Sequence, residues 1–151
     1  MVSIVSLQGV VALLGRFPAL AGADLEVGES EIVLVQGPNG AGKSTLLRVC
    51  AGLLRIESGR AEVLGHDLVA DRAAVRRSVG LLGHDTALYD DLTVEENLRF
   101  WARASRIDDE AVPAALDRLG VAERLRDVAV RNLSAGQRRR TALAAVVVRR
   151  P

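Results

Sequence analysis

Of the 20 lysine and arginine residues in this 151-residue chain, one is a lysine, Lys43. It stands in Gly37-Pro38-Asn39-Gly40-Ala41-Gly42-Lys43-Ser44-Thr45. The spacing G-x-x-x-x-G-K-[ST] describes a loop whose backbone N–H groups wrap around phosphate oxygens. Glycines permit that turn because a Cβ would obstruct the inward-facing amides. An ammonium is a compact point charge able to reach between two phosphates of a nucleotide, where a planar guanidinium does not fit. The Ser44 hydroxyl is then placed to ligate Mg²⁺.

The flanks support the motif. Glu31–Gln36 is a short, β-branched run suited to a buried strand. After the loop, Leu46, Leu47, Cys50, Leu53 and Leu54 fall on one helical face. Strand, glycine loop and helix N-terminus in that order supply free N–H groups and the positive end of a helix dipole. A second stretch, Leu133-Ser134-Ala135-Gly136-Gln137, has the spacing of a capping box, so a helix opens there with free amides at Ala135 and Gly136. Alone, it could serve only its own helix; downstream of a phosphate loop it is a second candidate anion site.

Around these sites the expected elements are strands at Val2–Leu7, Val10–Leu14, Ala23–Val27, Ile32–Gln36, Arg60–Leu64 and Ser78–Leu82. Helices are expected at Asp71–Arg77 with Asp71 as cap, from the Thr93/Glu96 capping box to about Arg106, at Asp108–Leu119 and at Ser134–Arg149. Pro113 must sit in or near the first turn of its helix. Strands around a phosphate loop followed by a helical segment make the fold α/β.

Composition narrows the partners. The chain is 49% hydrophobic but 3% aromatic, so its core must be aliphatic. A net charge of +1 argues against nucleic acid. Mean hydropathy of +0.19 points to apolar surface covered by a partner. No run approaches the roughly 18 apolar residues of a membrane span; Ala142–Val148 is the longest candidate. No basic residue precedes Arg16, as a secretory signal would require, and one cysteine, Cys50, allows no internal disulfide. These features fit the cytoplasm, with Cys50 as core packing.

Together the motifs resemble the nucleotide-binding domains of ABC transporters, over essentially the whole chain. Gly37–Thr45 resembles Walker A, Leu133–Gln137 the LSGGQ signature with Ala135 for its first glycine, and Leu92-Thr-Val-Glu-Glu-Asn97-Leu98 the "LTVxENL" opening of the helical subdomain. The resemblance implies a P-loop NTPase with an N-terminal antiparallel β subdomain and a helical subdomain. It divides the chain into a β subdomain and phosphate-loop core (1–92), a helical subdomain (93–133) and a signature helix (134–151). It implies ATP and Mg²⁺, a homodimer or heterodimer of such domains, and a transmembrane permease subunit, with the protein peripheral on the inner face of the cell membrane. Lys43 and Ser44 of one chain would hold phosphates that Ser134 and Gly136 of the other meet from the opposite side.

Departures from the pattern refine this. The aromatic residue that stacks on adenine aligns with Leu14; Phe17 could substitute, though a core or loop-anchoring role suits it better. The glutamine that follows the Val79–Leu82 strand and touches Mg²⁺ aligns with His84. The pair Gly83-His84, the entry Gln36-Gly37-Pro38-Asn39 and the signature followed by Arg138-Arg139-Arg140 are similar to the haem-exporter ATPase subunits of cytochrome c maturation; the arginines otherwise suit a solvated helix face. In the family an Asp-Glu strand follows the position of Pro151. Its absence here implies a truncated domain, a core sheet incomplete at the C-terminus, and little hydrolysis by this chain alone. Asp90, Asp91, Glu95 and Glu96 belong to a loop and a cap, not to catalysis. Two other readings stay open: a soluble ABC-type ATPase of translation or DNA repair, and a non-hydrolytic nucleotide-binding module.

Overall fold

The computed structural model describes residues 3–151; Val2, counted in the first expected strand, lies outside them. The chain forms two compact units that divide between Leu81 and Leu82.

The first unit is built on an antiparallel sheet of order β2-β1-β3-β4, with β1 Ser3–Leu14, β2 Phe17–Gly28, β3 Ser58–Val63 and β4 His66–Asp67. The two strands expected at the N-terminus are one. β1 runs through a register irregularity between Leu7 and Val10. β2 begins at Phe17, well before the expected Ala23, pairing Leu14 with Phe17 and Leu13 with Pro18. Proline is tolerated there because β2 is a sheet edge, where a missing N–H breaks no ladder. Helices α1 (Lys43–Cys50) and α2 (Arg72–Ser78) contribute Val49 and Val75 to a core shared with Leu7, Val10, Ala12, Leu20, Ala61, Val63 and Leu68. Asp71 caps α2 as expected, accepting from Ala74 N–H at 3.2 Å.

Three expectations fail in this unit. Residues 31–36 and 79–82 are extended but join no ladder among the described residues. A strand apolar on both faces needs neighbours on both sides; without them Ile32 is 97% and Leu34 78% exposed. The helix after the phosphate loop ends at Cys50, short of Leu53 and Leu54; Leu47 and Leu53 are exposed, while Leu46, Cys50 and Leu54 pack on the core. Burial pushes the Cys50 thiol above its ordinary value.

The second unit packs α3 (Val94–Ala104), α4 (Ala111–Arg118) and α5 (Ala135–Val148) around an aliphatic core of Val94, Leu98, Ala102, Val112, Leu116, Ala144, Ala145 and Val148. Spacings of three and four along each helix bring these side chains to one face. The capping boxes at Thr93/Glu96 and Ser134/Gln137 are both formed. α4 starts later than expected because Asp108–Glu110 forms a turn first, which places Pro113 in the opening turn. Trp101 lies against this core, whereas Phe100 is exposed.

Candidate functional site

The phosphate loop leaves the extended run at Gln36 and enters α1 through three glycines with positive φ, at +151° (Gly37), +83° (Gly40) and +87° (Gly42). Gly42 is the N-cap of α1, and its carbonyl accepts the first helical bond, from Leu46 N–H at 2.8 Å. No side chain caps the helix and its first turn holds no acidic residue. The leading amides therefore stay available to an anion, with no carboxylate competing for them.

Lys43 folds back over its own loop. Its Nζ donates to the carbonyls of Gly37 at 2.8 Å and Pro38 at 2.7 Å. The ammonium is thus held at the mouth of the loop by two neutral acceptors, which phosphate oxygens would outcompete through charge assistance. Asn39, Gly40, Gly42, Lys43, Ser44 and Thr45 line a cavity of about 270 Å³ with Leu14 and Ala19. The Ser44 hydroxyl engages no partner among the described residues. A loop with free amides, an ammonium held at its mouth and an unengaged hydroxyl fits a nucleotide phosphate with its Mg²⁺.

Leu14 reaches this cavity. Phe17 does not, and at 79% exposure it has no core role. Ala19, which the sequence did not single out, closes the floor: its carbonyl sits where a Cβ on Gly42 would go. Its signal is lost because an alanine contributing only backbone leaves no trace in residue type.

In the helical unit Ser134 N–H donates to Gln137 Oε1 at 2.8 Å, and Gln137 N–H returns to Ser134 Oγ at 3.3 Å. Ala135 and Gly136 follow, exposed. A Cβ on Gly136 would meet nothing within 4 Å, so no packing inside this chain demands glycine there.

His84 is exposed and its ring has no hydrogen-bond partner among the described residues. The nearby carboxylates are all committed. Asp90 pairs with Arg138, Asp91 with Arg131 and Glu95 with Arg99, while Glu96 closes the Thr93 cap. Of the arginines after the signature, Arg139 and Arg140 are exposed, as a solvated face requires, and Arg138 is half-buried; Arg138 holds Asp90 and Arg139 donates to the Gly83 carbonyl. Asn97, quoted in the sequence only as part of the Leu92–Leu98 motif, has a role that the motif did not state. Fully buried, it accepts from Tyr89 N–H at 2.8 Å and donates to the carbonyls of Tyr89 (3.0 Å), Thr93 (2.9 Å) and Leu92 (3.3 Å). A polar residue on the apolar stripe Val94-Leu98 was the signal available.

The apolar residues of the loop between His84 and Leu92 divide. Leu88 packs into the helical core. Tyr89, 49% exposed, meets the ring of Phe100, 41% exposed, edge-on at 4.9 Å. Phe100 meets Trp101 in the same way at 5.3 Å.

Residues 20–151 match the family described as ABC transporter. The cytochrome c biogenesis ATP-binding export protein CcmA of Cupriavidus pinatubonensis is 43% identical over 132 residues, covering 86% of this chain and 58% of that protein. The daunorubicin resistance ATP-binding protein DrrA3 of Streptomyces coeruleorubidus is 40% identical over 150 residues, covering 97% of this chain and 48% of that one. The chain thus spans about half the length of these relatives. Among solved structures, cbiO1 of Clostridium perfringens, part of the ABC transporter complex cbiONQ, superposes with a TM-score of 0.80 at 28% identity, covering 99% of this chain and 62% of that one. The dimeric cassette MJ0796 bound to ADP and Pi gives 0.85 at 24% identity, covering 97% and 70%, a likeness of fold.

Proposed function

The chain belongs to the ABC transporter family, and from that premise we propose that it is ATP-binding sequence of a transporter's energy-coupling subunit, acting in export. The observation that carries this is Lys43, whose ammonium spans the Gly37 and Pro38 carbonyls over a cavity edged by the free amides of α1. When ATP enters, the Lys43 ammonium exchanges those carbonyls for phosphate oxygens, and the α1 amides receive the remaining negative charge. Ser44 would hold Mg²⁺, which would supply charge neutralisation at the phosphates. Leu14 offers the base an apolar contact in place of aromatic stacking.

The signature Leu133–Gln137 serves the ATP of a second nucleotide-binding domain, in a homodimer or heterodimer. Gly136 supports this reading, since its missing side chain leaves room that nothing in its own chain fills. His84 stands at the position that senses nucleotide. Tyr89, later on the same loop, forms with Phe100 an exposed aromatic pair on which a cytoplasmic helix of a transmembrane permease would rest. The protein would then work at the cytoplasmic face of the membrane; among the described residues no helix is long and apolar enough to cross one. Haem is the cargo we favour, on the Gly83-His84 pair, the Leu-Ser-Ala-Gly-Gln signature and the likeness to CcmA. Drug efflux is the second reading, on the likeness to DrrA3.

With Asp90, Asp91, Glu95 and Glu96 all committed to pairs and caps, none is free to polarise an attacking water. On this reading the four carboxylates take no part in turnover. Calorimetry with MgATP on the wild type and Lys43→Ala tests the binding. An affinity loss of about tenfold or more on losing charge-assisted bonds is expected; equal affinities would sink the assignment. Replacing Tyr89 with serine in the full-length protein should weaken co-purification with the permease at unchanged melting temperature.

A further inference from the structure

The loop from Gly83 to Leu92 carries His84, and its two ends hang on consecutive side chains of α5. Arg139 donates to the Gly83 carbonyl at one end. At the other, Arg138 Nη1 donates to Asp90 Oδ1 at 2.6 Å, while its Nη2 lies 3.4 Å from the Val130 carbonyl. Asn97 of α3 fixes Tyr89 and Leu92 between them and the helix. Within the stretch 84–87 Ala87 N–H donates to Asp85 Oδ1 at 3.2 Å, and Ala87 takes a positive φ of +52°. It is a short span held from both ends, with little to fix it in the middle.

We infer that Arg138 and Arg139 are positioning residues that make the posture of the His84 loop depend on the N-terminus of α5. The inference rests on reading Ser134–Gln137 as a phosphate site. An α-helix is stiff over a single turn, and Arg138 N–H bonds directly to the Ser134 carbonyl at 2.8 Å. A ligand drawing on the amides of Ala135 and Gly136 therefore moves residues 138 and 139 as one body. Gly83 and Asp90 follow through their hydrogen bonds, and His84 with them. Guanidinium suits the task because its fork engages a carboxylate and a carbonyl together, which an ammonium does less well. Arg140, one residue on, has no such bond among the described residues and serves as an internal control. The Arg138–Asp90 pair is partly exposed, so each tie alone is weak and the effect comes from two acting together.

The test is amide hydrogen exchange of peptides covering 84–92 in the full-length protein, with and without MgATP. In the wild type ATP should slow exchange there. In Arg138→Gln/Arg139→Met the ATP-dependent slowing should shrink by roughly three- to tenfold, the size expected for two partly exposed ties. ATP affinity and melting temperature should stay at wild-type values, and Arg140→Gln should behave as wild type. Exchanging partners, Arg138→Asp with Asp90→Arg, should restore part of the response, a rescue that loss of general stability would not allow. Should the double variant melt early, Arg138→Lys, which keeps the charge and loses the fork, should still halve the response. A full wild-type response in the double variant, or none in a wild type that binds ATP, overturns the inference. Failure of the wild type to bind ATP overturns instead the phosphate-loop reading beneath it, and calorimetry reports that separately.

Discussion

At Gly42 a φ of +87° coincides with an ideal Cβ position 2.4 Å from the Ala19 carbonyl. Backbone strain and a clash with main chain act together, and neither is relieved by turning a flexible side chain. Gly42→Ala should cost about 2 kcal/mol or more in urea unfolding and remove ATP binding with it. Gly136 makes the opposite case. It lies in α5 with open space around its Cβ, so alanine there should hold or raise stability by up to about 0.5–1 kcal/mol through helix propensity. If Gly136 serves an incoming phosphate, the same variant should lose ATP-driven dimerisation, read by light scattering of the full-length protein. Retained dimerisation would leave Gly136 without a ligand. The motif glycines looked alike in sequence; only the structure separates the one its own chain requires from the one it does not.

Elements whose signals are local were legible. Asp71, Thr93 and Ser134 each cap the helix their spacing announced, because a cap is settled within four residues. Residues 31–36 and 79–82 were not, because a strand exists only through neighbours that its own sequence does not name. Asn97 was hidden for a related reason: its four bonds reach a loop that the helix pattern says nothing about. Asn97→Ala should strand the Tyr89 amide and lower stability by about 2–3 kcal/mol, measurable by thermal unfolding. Between α3 and α4, Arg103 donates to Asp109 and holds its carboxyl below the usual carboxylate range. A depressed value in the folded state means stabilisation that is present above the unfolded value and lost as pH falls through the folded one. Asp109→Asn should therefore lower the urea midpoint at neutral pH. The gap to wild type should close as the pH falls through the depressed folded value of Asp109.

For the whole molecule, the family and its two motifs were readable because Lys43 and Ser134 sit in short contiguous strings, whereas the boundary after Leu81 depends on packing spread over the chain. The first unit leaves Ile32 and Leu34 on an unpaired extended run, a template for another chain. This 151-residue chain should self-associate, and Ile32→Lys with Leu34→Lys should raise its solubility without altering the sheet. Sedimentation of both forms at matched concentration decides it; an equally soluble wild type refutes the exposed-edge argument.

The distribution of rings gives the chain an optical asymmetry. Its single tryptophan and single tyrosine, with Phe100 between them in an edge-to-face ladder, all belong to the helical unit, and the Arg149 guanidinium lies 5.9 Å from the Trp101 ring. The sheet unit, with Phe17 as its one ring, emits almost nothing. Intrinsic fluorescence therefore watches the unit that carries the signature helix and is blind to the unit that carries the phosphate loop.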